Sequence, residues 1–272
     1  VEVAGIKFRN PFYVASGPTA KSVWQIQRAE ECGWGGASIK LTVDPPPYIS
    51  RMPRYHWDKY NNILMFTAEK RMELKEGLQL MAEARKVTSE IILFANITYA
   101  GDKGVEGWIN MAKQFEEVGA HIIELNMCCP NMSYNLEVSG TAKTGGPKTG
   151  ASMGQQAEVV AEIIKAVKEA INIPLFVKLT PEGGKIAQVA KACLEAGADA
   201  VGGTANRLGI PPIDIYHPQK SIYYLQKEPS MSCHCGYWLR PLSLRDVFEI
   251  RKLVGPDAKI MSGNIKNDVV NM

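Results

Sequence analysis

Several things are scarce in this sequence, and each scarcity removes a class of function. No apolar run approaches the ~20 residues that a membrane-spanning helix needs, and the opening residues do not read as a secretory signal. No membrane partner is therefore expected, and Cys32 and Cys193, placed on apolar helix faces as reduced thiols, point to a cytoplasmic setting. Charge of one sign is also missing: 31 Lys and Arg against 28 Asp and Glu give +3, with no basic run and no aromatic–basic interleaving to suit nucleic acid. The six cysteines contain no CxxC pair. Cys233-His234-Cys235 offers only a CxC, so no metal site is expected. No ferredoxin-type cysteine run is present, and the chain cannot pass electrons through iron–sulfur clusters of its own. A GxGxxG turn, the mark of a doubly wound dinucleotide fold, is absent as well.

What remains is a globular chain of 272 residues, 46% hydrophobic and 22% charged, able to fill one large core. Short apolar runs alternate with helical periodicity. Strands are predicted over 12–16, 36–41, 91–97, 121–126, 174–179, 199–204 and 258–263. Helices are predicted over 21–32, 67–87, 105–118, 154–170, 184–196 and 243–254. On the helix 154–170 the apolar set is Val159, Val160, Ile163, Ile164 and Val167; Cys32 and Cys193 fall on apolar helix faces and are expected to be buried, reduced thiols. Residues 43–66, with several prolines and aromatics and no clear period, read as a long functional loop, and 207–240 as a second long insertion.

A weak internal repeat supports one architecture. Glu31-Cys32-Gly33, Glu117-Val118-Gly119 and Glu195-Ala196-Gly197 each close a helix just before a strand. Repeated βα units with buried strands indicate a parallel sheet. Seven strands are counted and a closed barrel needs eight, so a (β/α)8 TIM barrel is expected, a single domain over 1–272, truncated before an eighth strand that would lie past Met272.

The chemistry is expected where these strands end, because ligands of parallel α/β folds bind beyond the carboxyl ends. The stretch HIIELNMCCPN, residues 121–131, is a short buried strand that opens into Asn126, Cys128, Cys129, Pro130 and Asn131. Lys40 and Lys178 each stand near the end of a predicted core strand. Lysine is rarely tolerated there unless its ammonium meets an anion or a ligand, the alternative being two snorkelling surface lysines. Ala15-Ser16 ends the first strand, where a plain turn is the rival reading. Asn96 ends the third, where a strand cap is the rival.

These residues carry a resemblance. Ala15-Ser16, Lys40, the Asn126-x-x-Cys129-Pro130-Asn131 loop, Lys178-Leu179-Thr180-Pro181, Arg240-Pro241 and Gly263 stand in the order of the dihydroorotate and dihydropyrimidine dehydrogenase family of FMN-binding barrels. The resemblance implies FMN as cofactor, with Ala15, Ser16, Lys40, Asn96, Lys178, Gly236 and Gly263 as its binding residues. Lys178 would lie at the N1 and O2 edge and the two glycines on the phosphate side. Gly263 is followed by Asn264 where the family commonly has a second glycine. It further implies Cys129 as the group that moves a carbon-bound proton while hydride goes to the flavin. Asn126, Asn131 and Asn206 would hydrogen-bond a flat amide-rich substrate, since carboxamides pair both donor and acceptor edges. Asn62 lies near, but out of register with, a further substrate asparagine.

The function implied is an FMN-dependent oxidoreductase of the CH–CH bond of a cyclic amide, a dihydropyrimidine ahead of dihydroorotate. The runs AGIKFRNPF and RPLSLRDV favour the dihydropyrimidine branch, whereas Asn131 pulls towards dihydroorotate. Electrons would leave to a partner subunit or a small acceptor, and a homo- or hetero-oligomer is expected. Two other classes stay open: a Schiff-base lyase using Lys178, and a non-catalytic subunit of a larger complex.

Overall fold

A computed structural model describes residues 1–46, 55–66, 71–129, 150–203, 206–220 and 232–263. A small antiparallel pair, β1 (Glu2–Val3) and β2 (Ile6–Lys7), precedes β3 (Tyr13–Val14), α1 (Val23–Glu31), β4 (Gly36–Ser38) and β5 (Thr42–Asp44). Next come β6 (Tyr55–Asp58), β7 (Ile63–Phe66), α2 (Leu74–Val87), β8 (Ile92–Tyr99), α3 (Val105–Glu117) and β9 (Ile122–Met127). The chain continues through α4 (Ala151–Gly154), α5 (Ala157–Ala170), β10 (Leu175–Leu179), α6 (Ile186–Glu195) and β11 (Ala200–Gly203). It ends with β12 (Arg207–Gly209), β13 (Ser232–Cys235), α7 (Arg240–Val254) and β14 (Ile260–Ser262).

Side-chain alternation along the strands builds two layers. Ala37, Leu93, Ala95, Ile97, Ile123, Leu125, Val177 and Val201 point outward and pack against the helices. Phe94, Ile122, Phe176 and Ala200 point inward and meet Phe8. Phe94 stacks on Tyr13 at 4.7 Å and meets Phe176 edge-on at 5.6 Å. Because both faces are covered, these strands read as continuous apolar runs.

The main sheet is parallel in the order β14-β11-β10-β9-β8-β4-β3, with β5 also paired to β8. It curls on itself: the Tyr13 hydroxyl, on one edge strand, reaches Met261 Sδ on the other at 3.6 Å. Among the described residues this is an open, TIM-barrel-like arrangement of parallel staves with helices outside. Between the two edges lies a cavity of about 630 Å³ lined by Phe8, Tyr13, Phe94, Phe176 and Ile260. Its walls are the apolar end of the strands, away from the polar rim.

Four expectations are corrected. The strand predicted over 36–41 is one stave in two pieces, because Lys40 N turns aside to donate to Ala20 O at 2.7 Å. The helix predicted from 67 begins only at Leu74. Met72 is drawn into the sheet, donating to Leu41 O and accepting from Val43 N at 3.0 Å each, and Glu73 with Glu76 then forms a capping box. The described parts of the two long insertions carry strands: β6 and β7 form a hairpin, and β13 pairs with β7 and β12, giving one antiparallel sheet β12-β13-β7-β6, while 210–220 runs without strand or helix. The signal was legible in the turn, where Asp58 accepts from Tyr60 N, Asn61 N and Asn61 Nδ2. Cys32, at the end of α1, is exposed, whereas Cys193 is buried and its thiol is pushed up to about 12 by burial. On α5, Val159 is 38% exposed and the other four apolar residues are buried.

Candidate active site

Following the inward-facing positions along the strands, apolar side chains give way to polar ones. On β8 the series is Ile92, Phe94, Asn96, Thr98; on β9 it is Ile122, Glu124, Asn126; on β10 it is Phe176, Lys178. The carboxyl ends of the staves therefore carry a polar rim above an apolar floor, the placement the barrel uses for chemistry.

Register fixes the neighbours. Lys178 pairs with Asn126 on one side and with Gly202 on the other. Gly202 has room for nothing larger, since a Cβ would lie 2.3 Å from Met261 O. A small cleft of about 20 Å³ collects Tyr13, Ala15, Lys178, Gly203 and Gly263. Lys178 is half-buried, and among the described residues its ammonium has no hydrogen-bond or ion-pair partner. Lys40 is buried at the break between β4 and β5, two residues past Ser38. Ser16 is half-buried beside Ala15.

Asn126 is buried and organises the opening loop. Its Oδ1 accepts from Cys128 N at 3.3 Å and Cys129 N at 3.1 Å, while its Nδ2 donates to Asn96 Oδ1 at 3.0 Å. Asn96 in turn donates from Nδ2 to Glu124. Thr98 Oγ1 donates to Asn126 O at 2.8 Å. The sulfur of Cys129 accepts from Arg71 Nη2 at 3.1 Å and sits against Leu41, Val43 and Ala100. Over it comes β13: the Cys233 thiol is pushed well up, first by burial and then by the neighbouring Cys129, with Arg71 acting the other way. The antiparallel sheet β12-β13-β7-β6 thus lies, through β13, near the loop after β9 and forms a roof on that side. The Tyr13 phenol is likewise held well above its usual value, first by burial and then by Glu124, which accepts its hydrogen bond at 3.2 Å.

The remaining expected positions divide. Asn206 precedes β12, where Arg207 pairs with Asp246 of α7 at 2.6 Å; the Oδ1 of Asn206 is buried and lacks a hydrogen-bond partner. Gly236 lies under the hairpin of the roof, at φ +147°, where a Cβ would meet Asn62 O at 2.6 Å; that approach accounts for a glycine without any ligand. Asn131 falls outside the described residues. Sequence reasoning passed over Arg71, hidden in a segment read as helix, and Glu124, a lone charge inside an apolar run. That charge, two residues before Asn126 and on its face, was the available signal.

The described residues suit a flavin in their chemistry. An ammonium without a protein partner faces a cleft floored by Gly202 and Gly203, and an orphaned buried acceptor waits at Asn206. Among the described residues no cluster of His, Cys, Asp and Glu could hold a metal ion, and no helix is long and apolar enough to cross a membrane.

Residues 1–267 match the family described as dihydroorotate dehydrogenase. The NAD-dependent dihydropyrimidine dehydrogenase subunit PreA of Escherichia coli (strain K12) is 27% identical over 258 residues, covering 92% of this chain and 58% of that protein. The catalytic subunit of dihydroorotate dehydrogenase B (NAD(+)) of Thermodesulfovibrio yellowstonii is 29% identical over 261 residues, 93% of this chain and 76% of that one. Its counterpart in Geobacillus sp. is 27% identical over 258 residues, 93% and 74%. This chain spans little more than half the length of PreA. With nearly its whole length matched and the barrel's polar rim in place, the chain belongs to the dihydroorotate dehydrogenase family.

Proposed function

We infer that the chain is an FMN-dependent dehydrogenase that oxidises the CH–CH bond of a cyclic amide, with a dihydropyrimidine as substrate. The observation that carries this reading is the meeting of Cys129, Asn126 and Lys178 on one rim: Asn126 holds the cysteine turn and is the register neighbour of Lys178. FMN, when bound, supplies the two-electron acceptor that CH–CH oxidation requires. Lys178, Ala15, Ser16, Lys40 and Gly263 would hold it, the lysine ammonium offering fixed positive charge to the ring. Cys129 takes the proton from one substrate carbon while the adjacent carbon gives up its hydride. Arg71 donates to that sulfur and so fixes where it sits. The unpartnered oxygen of Asn206 and the one N–H of Asn126 not given to Asn96 would meet the substrate's imide edges. That PreA and the dihydroorotate dehydrogenase B relatives are named as subunits supports an electron-transfer partner that takes the electrons onward.

A second reading, dihydroorotate, is favoured by one observation: Arg71 puts a buried guanidinium beside Cys129, and a guanidinium matches a carboxylate in a fork. Anaerobic mixing of the yellow protein with dihydrouracil, dihydrothymine and dihydroorotate separates the two, with bleaching of the flavin band as readout. Faster bleaching by the two neutral substrates is the expected result, and bleaching by dihydroorotate alone moves the assignment to the second reading. Cys129→Ala should slow the reaction by about 10²–10⁴-fold, the usual contribution of a positioned acid–base group. No bleaching by any of the three, in protein carrying flavin, defeats both readings.

A further inference from the structure

Glu124 is fully buried inside an otherwise apolar strand. Three donors converge on its carboxylate: Ser38 Oγ at 2.6 Å, Tyr13 OH at 3.2 Å, and Asn96 Nδ2. A carboxylate accepts and does not donate, so Asn96 must turn its NH2 towards it. The Asn96 oxygen then faces Asn126 and can only receive, which turns the NH2 of Asn126 inward. That leaves the Asn126 oxygen facing the loop, where it accepts from both Cys128 N and Cys129 N. The orientation of each amide follows from the one before it, and the series starts at Glu124.

We propose that Glu124 is a positioning residue: the acceptor polarity of its carboxylate, passed through Asn96 and Asn126, fixes the backbone of the Cys128–Cys129 turn and hence the place of the Cys129 thiol. This rests on the reading of Cys129 as the proton-transfer group. A carboxylate that merely filled space, or only solvated Ser38 and Tyr13, would not care which way the two amides point.

Reversing the polarity tests it. Asn126→Asp keeps an acceptor for the two loop N–H groups but turns a second oxygen on Asn96. Asn96 cannot answer by flipping, because its own oxygen would then face Glu124. Adding Glu124→Gln puts an NH2 in place of the oxygen that faces Asn96, the amide of Asn96 turns over, and the series from residue 124 through Asn96 and the aspartate at 126 to the loop is complementary again. The Ser38 hydroxyl, which donates to that same oxygen, changes from donor to acceptor there, so the recovery is partial. The expected result is a strongly non-additive cycle. Asn126→Asp lowers the melting temperature, Glu124→Gln lowers it less, and the double variant regains at least half of what Asn126→Asp loses. Cys129 alkylation by iodoacetamide, followed by peptide mass spectrometry, should rise in Asn126→Asp as the turn loosens and fall again in the double variant. If Asn126→Asp does not accumulate as soluble protein, recovery of soluble protein by the second change is the supporting result. Penalties that add, alkylation rates equal in the single and double variants, or a double variant as insoluble as Asn126→Asp overturn the proposal. None of these readouts is turnover. Wild-type protein that oxidises no dihydropyrimidine would defeat the proposed function and leave the outcome of the cycle intact.

Discussion

Replacing Lys178 by methionine should separate the needs of the cofactor from those of the fold. The side chain is half-buried on β10 between Asn126 and Gly202, and its ammonium has no protein partner among the described residues. Withdrawing an ammonium from water costs free energy that only a partner offsets. In the flavin-free protein that cost is uncompensated, so an unbranched apolar side chain of similar length relieves it. A gain of about 1 kcal/mol corresponds to roughly 2–4 °C in melting temperature for a chain of this size. With flavin present the sign reverses. A hydrogen bond to a charged group contributes about 1.5–3 kcal/mol, so Lys178→Met should bind FMN about 10- to 100-fold more weakly. Quenching of FMN fluorescence on titration with flavin-free protein gives the affinity, and differential scanning fluorimetry with and without FMN gives the two melting temperatures. A variant that binds FMN as tightly as the wild type, or whose flavin-free form is clearly destabilised, refutes the placement of Lys178 at the cofactor.

Three further outcomes follow from local structure. His121, which opens β9, accepts from Leu93 N at Nδ1, and its folded pKa is lowered to about 4, by burial first and then by Arg85. Its contribution is therefore complete above the unfolded value of about 6.5 and is lost as pH falls from there towards 4; allowing for partial exposure, about 2 kcal/mol should disappear from urea unfolding free energies. His121→Asn should flatten that slope, and equal slopes would contradict the assignment. Gly154→Ala places a Cβ 1.9 Å from Met127 O, just before the cysteine turn, and should cost about 1–3 kcal/mol together with a fall in turnover; an unchanged urea midpoint would show that the contact yields freely. Alkylation of the native protein should modify Cys32 quickly and leave Cys193 untouched until unfolding, and equal rates at the two sites would contradict their exposures.

The parallel staves were legible because burial on both faces leaves short apolar runs whose helices end in glycine, and that pattern is local. Lys178 and Asn126 were legible for the same reason, since a polar residue at the end of such a run has few structural excuses. Arg71 was not. Its position depends on Met72 pairing with residues thirty places earlier, and helical periodicity beyond Leu74 extended the prediction over it. The roof was missed because β7 and β13 are far apart in sequence and each is too short to declare itself alone. Cys32 was misplaced by one step: a residue past the last helical turn no longer follows the helix's apolar face.

The pairing of β7 with β13 has a consequence for engineering new specificity. The two halves of the roof lie far apart in the chain, Ile63–Phe66 and Ser232–Cys235, yet share one ladder of hydrogen bonds, so neither is a free-standing graft. Transplanting one into a related barrel would leave an exposed strand edge prone to self-association. Moving both at once carries the ladder intact, and diversification of this surface should proceed as matched exchanges of the two rather than as changes to one.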